Sequence, residues 1–268
     1  MASNLSDVLR CFGDPPGSYI FTSFAVANLL VLPLALYVLY LGFSQWKRRR
    51  TASHLDHFTF HTAAMELIPT CGCVVHFVGA FYDDKDLMLK SLAFFSPSWS
   101  AKLHFNTLTC VERYLAVVHP ITYLGLKKRG GVMIRNVSIA FLWLLALVWP
   151  TFQFVPYHVN ATSFLVSLCL AFVITSFCNV SVLCVLIRPS PAKGGGDKVK
   201  TDQSKKRAFQ IVSAIFGVLF LAASGLLLCQ TLSMTLSSGE CVLWNSAVWF
   251  TLPCNLVLPL LFIHRFNK

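Results

Sequence analysis

The chain has 268 residues, 56% of them hydrophobic and only 12% charged, against about 45–50% apolar and about 25% charged for an average soluble domain. A soluble domain of this size cannot bury that much apolar surface, and ten cysteines mostly inside apolar runs, with scattered Gly and Pro, exclude disulfide-stapled secreted, disordered and collagen-like classes. The net charge of +11 could in isolation point to nucleic acid, but its placement reads as membrane orientation, and no nucleic-acid partner is expected.

The apolar residues come in long runs, which makes lipid the solvent. A hydrocarbon core about 30 Å thick takes about 20 apolar residues as helix. Seven segments qualify: 19–45, 58–82, 87–118, 132–155, 163–187, 207–233 and 241–263. The pattern predicts an all-α membrane protein, one seven-helix transmembrane domain over 1–268. The first 18 residues lack a basic region of the signal-peptide kind, so span one is read as a signal anchor. In span three Lys90, Pro97 and Lys102 interrupt the run, leaving 87–99 as an outer half and 103–118 as an inner half. The 188–206 loop, with Pro189-Ser190-Pro191 and Gly194-Gly195-Gly196, reads as a flexible cytoplasmic linker.

Basic residues sort to one side. Lys47 to Arg50 follow span one, Lys127, Lys128, Arg129 and Arg135 follow span three, a cluster from Arg188 to Arg207 follows span five, and Arg265 and Lys268 end the sequence. The other side has Arg10, Lys85 and Lys90 beside Asp7, Asp14, Asp83, Asp84, Asp86 and Glu240. Cytoplasmic loops carry the Lys/Arg excess, so the amino terminus is expected outside and the carboxyl terminus inside. The sequons at Asn4 and Asn160 then fall outside as glycosylation sites, while those at Asn136 and Asn179 stay bare.

Span three ends in Cys110-Val111-Glu112-Arg113-Tyr114-Leu115-Ala116-Val117-Val118-His119-Pro120. Charges are costly in lipid, so Glu112 and Arg113 at a span's inner end form a functional hypothesis by default. With the seven spans, this stretch resembles the rhodopsin-like family of G-protein-coupled receptors. Asn28 with Val31, Trp143, and Leu258-Pro259-Leu260-Leu261-Phe262 resemble its motifs of spans one, four and seven. The last, with Phe216 to Ala222, is nearest the purinergic or chemokine-like branch. The resemblance implies a plasma-membrane receptor with no enzymatic activity, cofactor or metal, coupling an extracellular ligand to a heterotrimeric G protein. Glu112 would restrain Arg113 at rest, with Tyr114 completing the switch.

The resemblance also implies a ligand cavity lined by Phe95, Trp99, Gln230 and Trp244, whose aromatic character favours a small apolar or lipid-like ligand. A disulfide between Cys11 and Cys241 is one option it leaves open. Three departures bear on activation. Met88 stands where the family has a disulfide-forming Cys, span five has neither Tyr nor an internal Pro, and Phe262 lacks the usual tyrosine hydroxyl.

Glu66 and Lys102 are the remaining charges inside spans, and burying either alone would cost several kcal/mol, which favours pairing. Lys102 precedes Arg113 by eleven residues, close to three helical turns, so both lie on one face. In the family the corresponding acid binds sodium; by resemblance the Lys102 ammonium replaces that ion, with Asn255 as a third member. His54, His57 and His61 share a helix face, but a membrane-interface collar explains them better than zinc. The competing functions are a non-signalling heptahelical protein, an ion or proton transporter using Glu66 and Lys102, and, last, an intramembrane hydrolase around His76 or His104.

The charge sorting makes a direct prediction. Asn4→Gln and Asn160→Gln should each remove a glycosidase-sensitive mobility shift, and a tag in the 188–206 loop should stay inaccessible on intact cells. Accessibility of that tag without glycosylation at either asparagine would reverse the topology.

Overall fold

In the computed structural model the described residues are 15–47, 57–126, 129–148, 157–187, 195–235 and 240–266. They form helices α1 (Pro15–Lys47), α2 (His57–Met65), α3 (Leu67–Phe81), α4 (Lys85–Val118), α5 (Pro120–Leu126), α6 (Arg129–Val148), α7 (Tyr157–Ile187), α8 (Gly195–Thr235), α9 (Glu240–Ala247) and α10 (Leu252–Phe266), with a 3₁₀ turn, Val248–Thr251, between the last two. No strand occurs among the described residues. Among the described residues, six stretches are long and apolar enough to cross a membrane: Pro16–Ser44, His57–Phe81, Gly130–Val148, Val166–Val185, Phe209–Cys229 and Asn245–His264.

The expected third span is the exception. Helix α4 has 34 residues, about 51 Å at 1.5 Å per residue, but Lys85, Asp86, Lys90, Lys102, Glu112 and Arg113 lower its apolarity. It packs as the bundle's inner rod against α2, α3, α6, α7, α8 and α10. Lys102, Phe105 and Cys110 are fully buried along it.

Two expected spans are broken, each at a proline. The His57–Phe81 stretch is interrupted at Glu66, between α2 and α3. Pro69 has no N–H to give the Met65 carbonyl, and its ring disfavours regular helix one turn back. The Glu66 N–H accordingly turns to the Ala63 carbonyl at 3.2 Å, a tightened turn, and the Thr70 hydroxyl donates to the Glu66 carbonyl at 2.7 Å. Pro253 likewise follows the 3₁₀ turn, where the Leu252 N–H donates to the Trp249 carbonyl.

Two loop expectations change. Helix α8 begins at Gly195, inside the expected flexible linker; the Lys, Gln and Arg of that stretch are good helix formers, and no proline interrupts them. The segment after α4 coils into α5, opened by Pro120, whose missing N–H costs nothing at a first helical position.

Four apolar clusters hold the bundle. One, near the N-terminal ends of α1 and α4, joins Phe21, Phe24 and Ala25 of α1 to Cys73, Met88, Phe95 and Val248. An inner one joins Leu103 and Cys110 of α4 to α7, α8 and α10 through Leu168, Cys178, Ile215, Leu219 and Leu258. Phe58 and Met65 meet Phe105 and Leu142, and Ala35 and Val38 meet Ala63 and Phe262. Buried hydroxyls turn back on their own helices: Thr62, Thr107, Thr109 and Thr175 each donate to the carbonyl four residues earlier, so none is left unmet in an apolar surround. The outward face is apolar as well. Val166, Leu170, Val173, Phe177 and Val180 form one exposed stripe on α7, the polarity of a lipid-facing surface.

Met88, standing where the resemblance would have a disulfide cysteine, is buried. The α3–α4 corner is closed by backbone approach, with a Cβ on Gly79 falling 2.8 Å from the Met88 nitrogen. Asp83, in the turn, has a φ of 53°, and the Asp84 side chain accepts from the Leu87 N–H at 3.1 Å. The eight cysteines whose side chains are described are all free thiols. Cys11 lies outside the described residues and the Cys241 side chain is not described, so their pairing remains an expectation.

Gly79→Ala should therefore destabilise by about 1–3 kcal/mol through overpacking against the backbone of α4, read as a lower thermal midpoint. Gly217→Ala, where a Cβ meets nothing within 4 Å, is the matched control. Equal midpoints for the two variants would mean that this corner does not depend on close approach.

Candidate functional site

The break at Glu66 aims its carboxylate inward. Glu66 Oε1 lies 2.7 Å from Lys102 Nζ, and the two side chains are 3% and 1% exposed. Two charges out of water are tolerable only as a pair, since each removes the other's need for a solvent counter-charge.

The pair is part of a buried polar layer. Asn255 Nδ2 donates to Asn28 Oδ1 at 3.2 Å, and Asn28 Nδ2 donates to the Phe24 carbonyl at 3.0 Å, which ties α10 to α1. Asn106, one turn inward from Lys102 on α4, donates to the Cys254 carbonyl at 3.5 Å. Pro259 has no N–H for the Asn255 carbonyl, so the backbone of α10 is also unusually polar at this level. Asn28 and Asn106 extend a layer that the sequence reading drew from Glu66, Lys102 and Asn255; a buried Asn inside an apolar run is the signal that finds them.

Beyond this layer, toward the N-terminal ends of α1 and α4, the interior is aromatic. Phe95 is fully buried, with ring centroids 5.4 Å from Phe21, 6.0 Å from Phe24 and 6.3 Å from Trp99. Trp99 packs edge-on against Phe24 at 6.1 Å, and Trp249 meets Phe24 at 6.0 Å. Two of the expected pocket residues thus share one cluster. Gln230 and Trp244 lie in α8 and α9, but their side chains are outside the description, as is that of Asn160 in α7; Asn4 lies outside the described residues altogether. Phe21 and Phe24, contributed by α1, were not among the expected lining residues.

Toward the C-terminal end of α4, Glu112, Arg113 and Tyr114 are half-buried where it packs near α7 and α8. The Tyr114 ring lies 5.6 Å from that of Phe177, and its hydroxyl hydrogen-bonds His119 Nε2 at 3.0 Å. Phe262 is buried and packs edge-on against Phe60 at 5.4 Å. Among the histidines, His61 stacks on Phe105 and accepts from Trp143 Nε1 at 3.2 Å, a packing role between α2, α4 and α6; His54 lies outside the described residues. No cluster of His, Cys, Asp and Glu fit for a metal occurs among the described residues. His104 sits between the Ser100 carbonyl at 2.6 Å and the Ser167 hydroxyl at 3.1 Å.

Residues 95, 99, 102, 106, 110 and 113 step along α4 by three or four, so one helix face runs from the aromatic cluster through the ion pair to Arg113. That continuous face spans about 27 Å at 1.5 Å per residue.

Among the described residues, a helical bundle with six stretches apolar enough to span, built around a charge-bearing inner helix, fits a multi-pass membrane protein of the G-protein-coupled-receptor type. Comparison with known proteins agrees at that level. Over 113 residues, 41% of this chain, it is 28% identical to cannabinoid receptor 2 of Rattus norvegicus. The match covers 30% of that receptor's length. No protein-family model matches the chain.

The buried pair generates a thermodynamic prediction. Glu66→Gln and Lys102→Met, each stranding one charge, should each destabilise by about 3–5 kcal/mol, and the double variant should recover much of the loss. Thermal unfolding of the full cycle measures the coupling; strictly additive losses would mean that the side chains act independently.

Proposed function

We propose that the chain is a plasma-membrane receptor of the rhodopsin-like kind, crossing the bilayer seven times with its amino terminus outside, and that it couples an extracellular ligand to a heterotrimeric G protein. The observation that carries this reading is the single face of α4 joining Phe95 and Trp99 at one end to Arg113, the middle residue of Glu112-Arg113-Tyr114, at the other. A ligand that reorders the aromatic cluster would move a rigid helix whose far end bears the coupling arginine. The partial likeness to a receptor supports the same assignment.

In this reading α4 is the third span despite its charges, because its polar face is turned into the bundle, where Glu66 meets Lys102. The Lys102 ammonium stands where the related receptors hold a sodium ion. Stability should then be indifferent to exchanging sodium for potassium, and Lys102→Ser should introduce a dependence. Glycans on Asn4 and Asn160 would face the outside. Membrane lipids cover the apolar stripe of α7, and anionic inner-leaflet lipids attract the basic loops.

A second reading is favoured by one specific observation, an ion pair 2.7 Å long deep in the bundle, which is also the arrangement of an ion or proton pathway. The two readings separate cleanly in reconstituted vesicles. The receptor should stimulate guanine-nucleotide exchange on a panel of G proteins, and Arg113→Ala should reduce it at least about tenfold, the loss of about 1.4 kcal/mol of coupling. A transporter should carry current or proton flux that Lys102→Met abolishes. Flux without nucleotide exchange would replace the first reading with the second; neither activity would leave a non-signalling heptahelical protein.

A further inference from the structure

Helices α7 and α8 meet along a seam whose chemistry changes with position. At one level Phe172 of α7 stacks on Phe216 of α8, with ring centroids 5.2 Å apart, and reaches Phe220 at 6.0 Å. About two turns further along α7 the contact is polar. There the Ser213 hydroxyl donates to Asn179 Oδ1 at 3.0 Å. The ring and aliphatic contacts of the seam are non-directional, so the hydrogen bond is the contact that prefers one setting of the two helices.

This contact lies beside Arg113. Cys178, next to Asn179, and Val212, next to Ser213, are buried in one cluster with Cys110, which precedes Arg113 by about one turn of α4. Tyr114, the residue after Arg113, has its ring 5.6 Å from that of Phe177. Arg113 itself is half-buried. Parting α7 from α8 at this level is therefore a direct way to uncover it.

The bond is also of a kind that opens without stranding its donor. A serine in a helix has a carbonyl of its own helix within reach one turn back. Ser176 of α7 and Ser224 of α8 use theirs, donating to Phe172 at 2.7 Å and Leu221 at 3.2 Å. Ser213 instead gives its hydrogen across the seam. Released, it can turn back to the Phe209 carbonyl, and Asn179 is only half-buried. The tie between Asn255 and Asn28 is the opposite case. Both of those side chains are buried, and parting them would take polar atoms from each other with no solvent to replace the contact.

We propose that the Asn179–Ser213 hydrogen bond is a latch, an autoinhibitory contact that holds α8 against α7 beside Arg113 and, when the hydroxyl turns back to its own helix, lets the seam open for the G protein. The inference rests on the receptor reading for that partner. It deepens the reading by naming the contact that a bound ligand must weaken.

Cys178, buried beside the latch, reports the opening, and Cys73, buried in the cluster near the N-terminal ends of α1 and α4, is the internal control. The purified full chain is treated with N-ethylmaleimide and the labelling rate of each cysteine is followed by peptide mass spectrometry. Where closing is fast, that rate follows the open population. Losing one neutral hydrogen bond should raise it about three- to fivefold. Ser213→Ala should show that rise at Cys178 with no rise at Cys73, and Ser213→Thr, which keeps the hydroxyl, should match the unaltered chain. An unchanged rate at Cys178, or a rise that Cys73 shares, would overturn the latch, the second because it means general loosening. Asn179→Val removes the acceptor and is held to the same criteria should Ser213→Ala not fold. Ligand-free nucleotide exchange, measured on the same samples, separates the failures. Selective labelling with no exchange from any sample removes the receptor reading and leaves the latch; exchange in the unaltered chain that Ser213→Ala does not raise removes this inference alone.

Discussion

The arrangement of the bundle turns on the contact between Glu66 and Lys102. Each charge sits in a stretch whose other residues favour an apolar surround, and each is affordable there only because the other is 2.7 Å away. That condition fixes the rotation of α4, since turning it by half a revolution would put Lys102 toward lipid. It also fixes which side of the α2–α3 kink faces inward. A well-packed apolar pair in the same place would be at least as stable. What the ions add is intolerance of any other packing of α4, the helix that most of the others touch.

The kink and the pair belong together. Pro69 breaks the helix three residues beyond Glu66, and the tightened turn sets the carboxylate at the break itself. The asparagines of α1, α4 and α10 then gather at the same depth, so that a polar layer divides two apolar regions of different character. Outside it the packing is ring against ring, with preferred edge-on geometry. Inside it the packing is mostly Leu, Ile, Val, Ala and Cys between α4, α7, α8 and α10.

How much of this the sequence discloses depends on the kind of signal. Long apolar runs reveal helices of membrane-crossing length because lipid tolerates no other open-ended backbone, and six such stretches occur among the described residues. Charge inside a run singles out Glu66 and Lys102 without reference to any fold. The same charge makes α4 too polar to count as a span on composition, although Lys102, Phe105 and Cys110 on it are fully buried. The break at Glu66 is legible in Pro69, yet hydropathy averages over it. The helical start of α8 at Gly195 runs against its glycines and follows instead the helix-forming residues beyond them. The entry of Phe21 and Phe24 into the aromatic cluster is not legible at all, because which face of an almost uniformly apolar α1 turns inward is decided by partners far away in sequence. Likewise, Glu112, Arg113 and Tyr114 announce themselves by type and spacing, whereas what they touch does not.

The four-residue 3₁₀ turn between α9 and α10 gives the last helix pair a mechanical property. A 3₁₀ turn advances about 120° and 2.0 Å per residue, where an α-helix advances about 100° and 1.5 Å. Over Val248–Thr251 the difference amounts to about 80° of twist and about 2 Å of length. Axial stretch and rotation are therefore geared together at this point. Rewinding those residues to α-helix would draw α9 toward the polar layer and swing Asn245 around the helix axis while α10 kept its seat against Asn28, so that a push along the axis at the outer rim would arrive as torque.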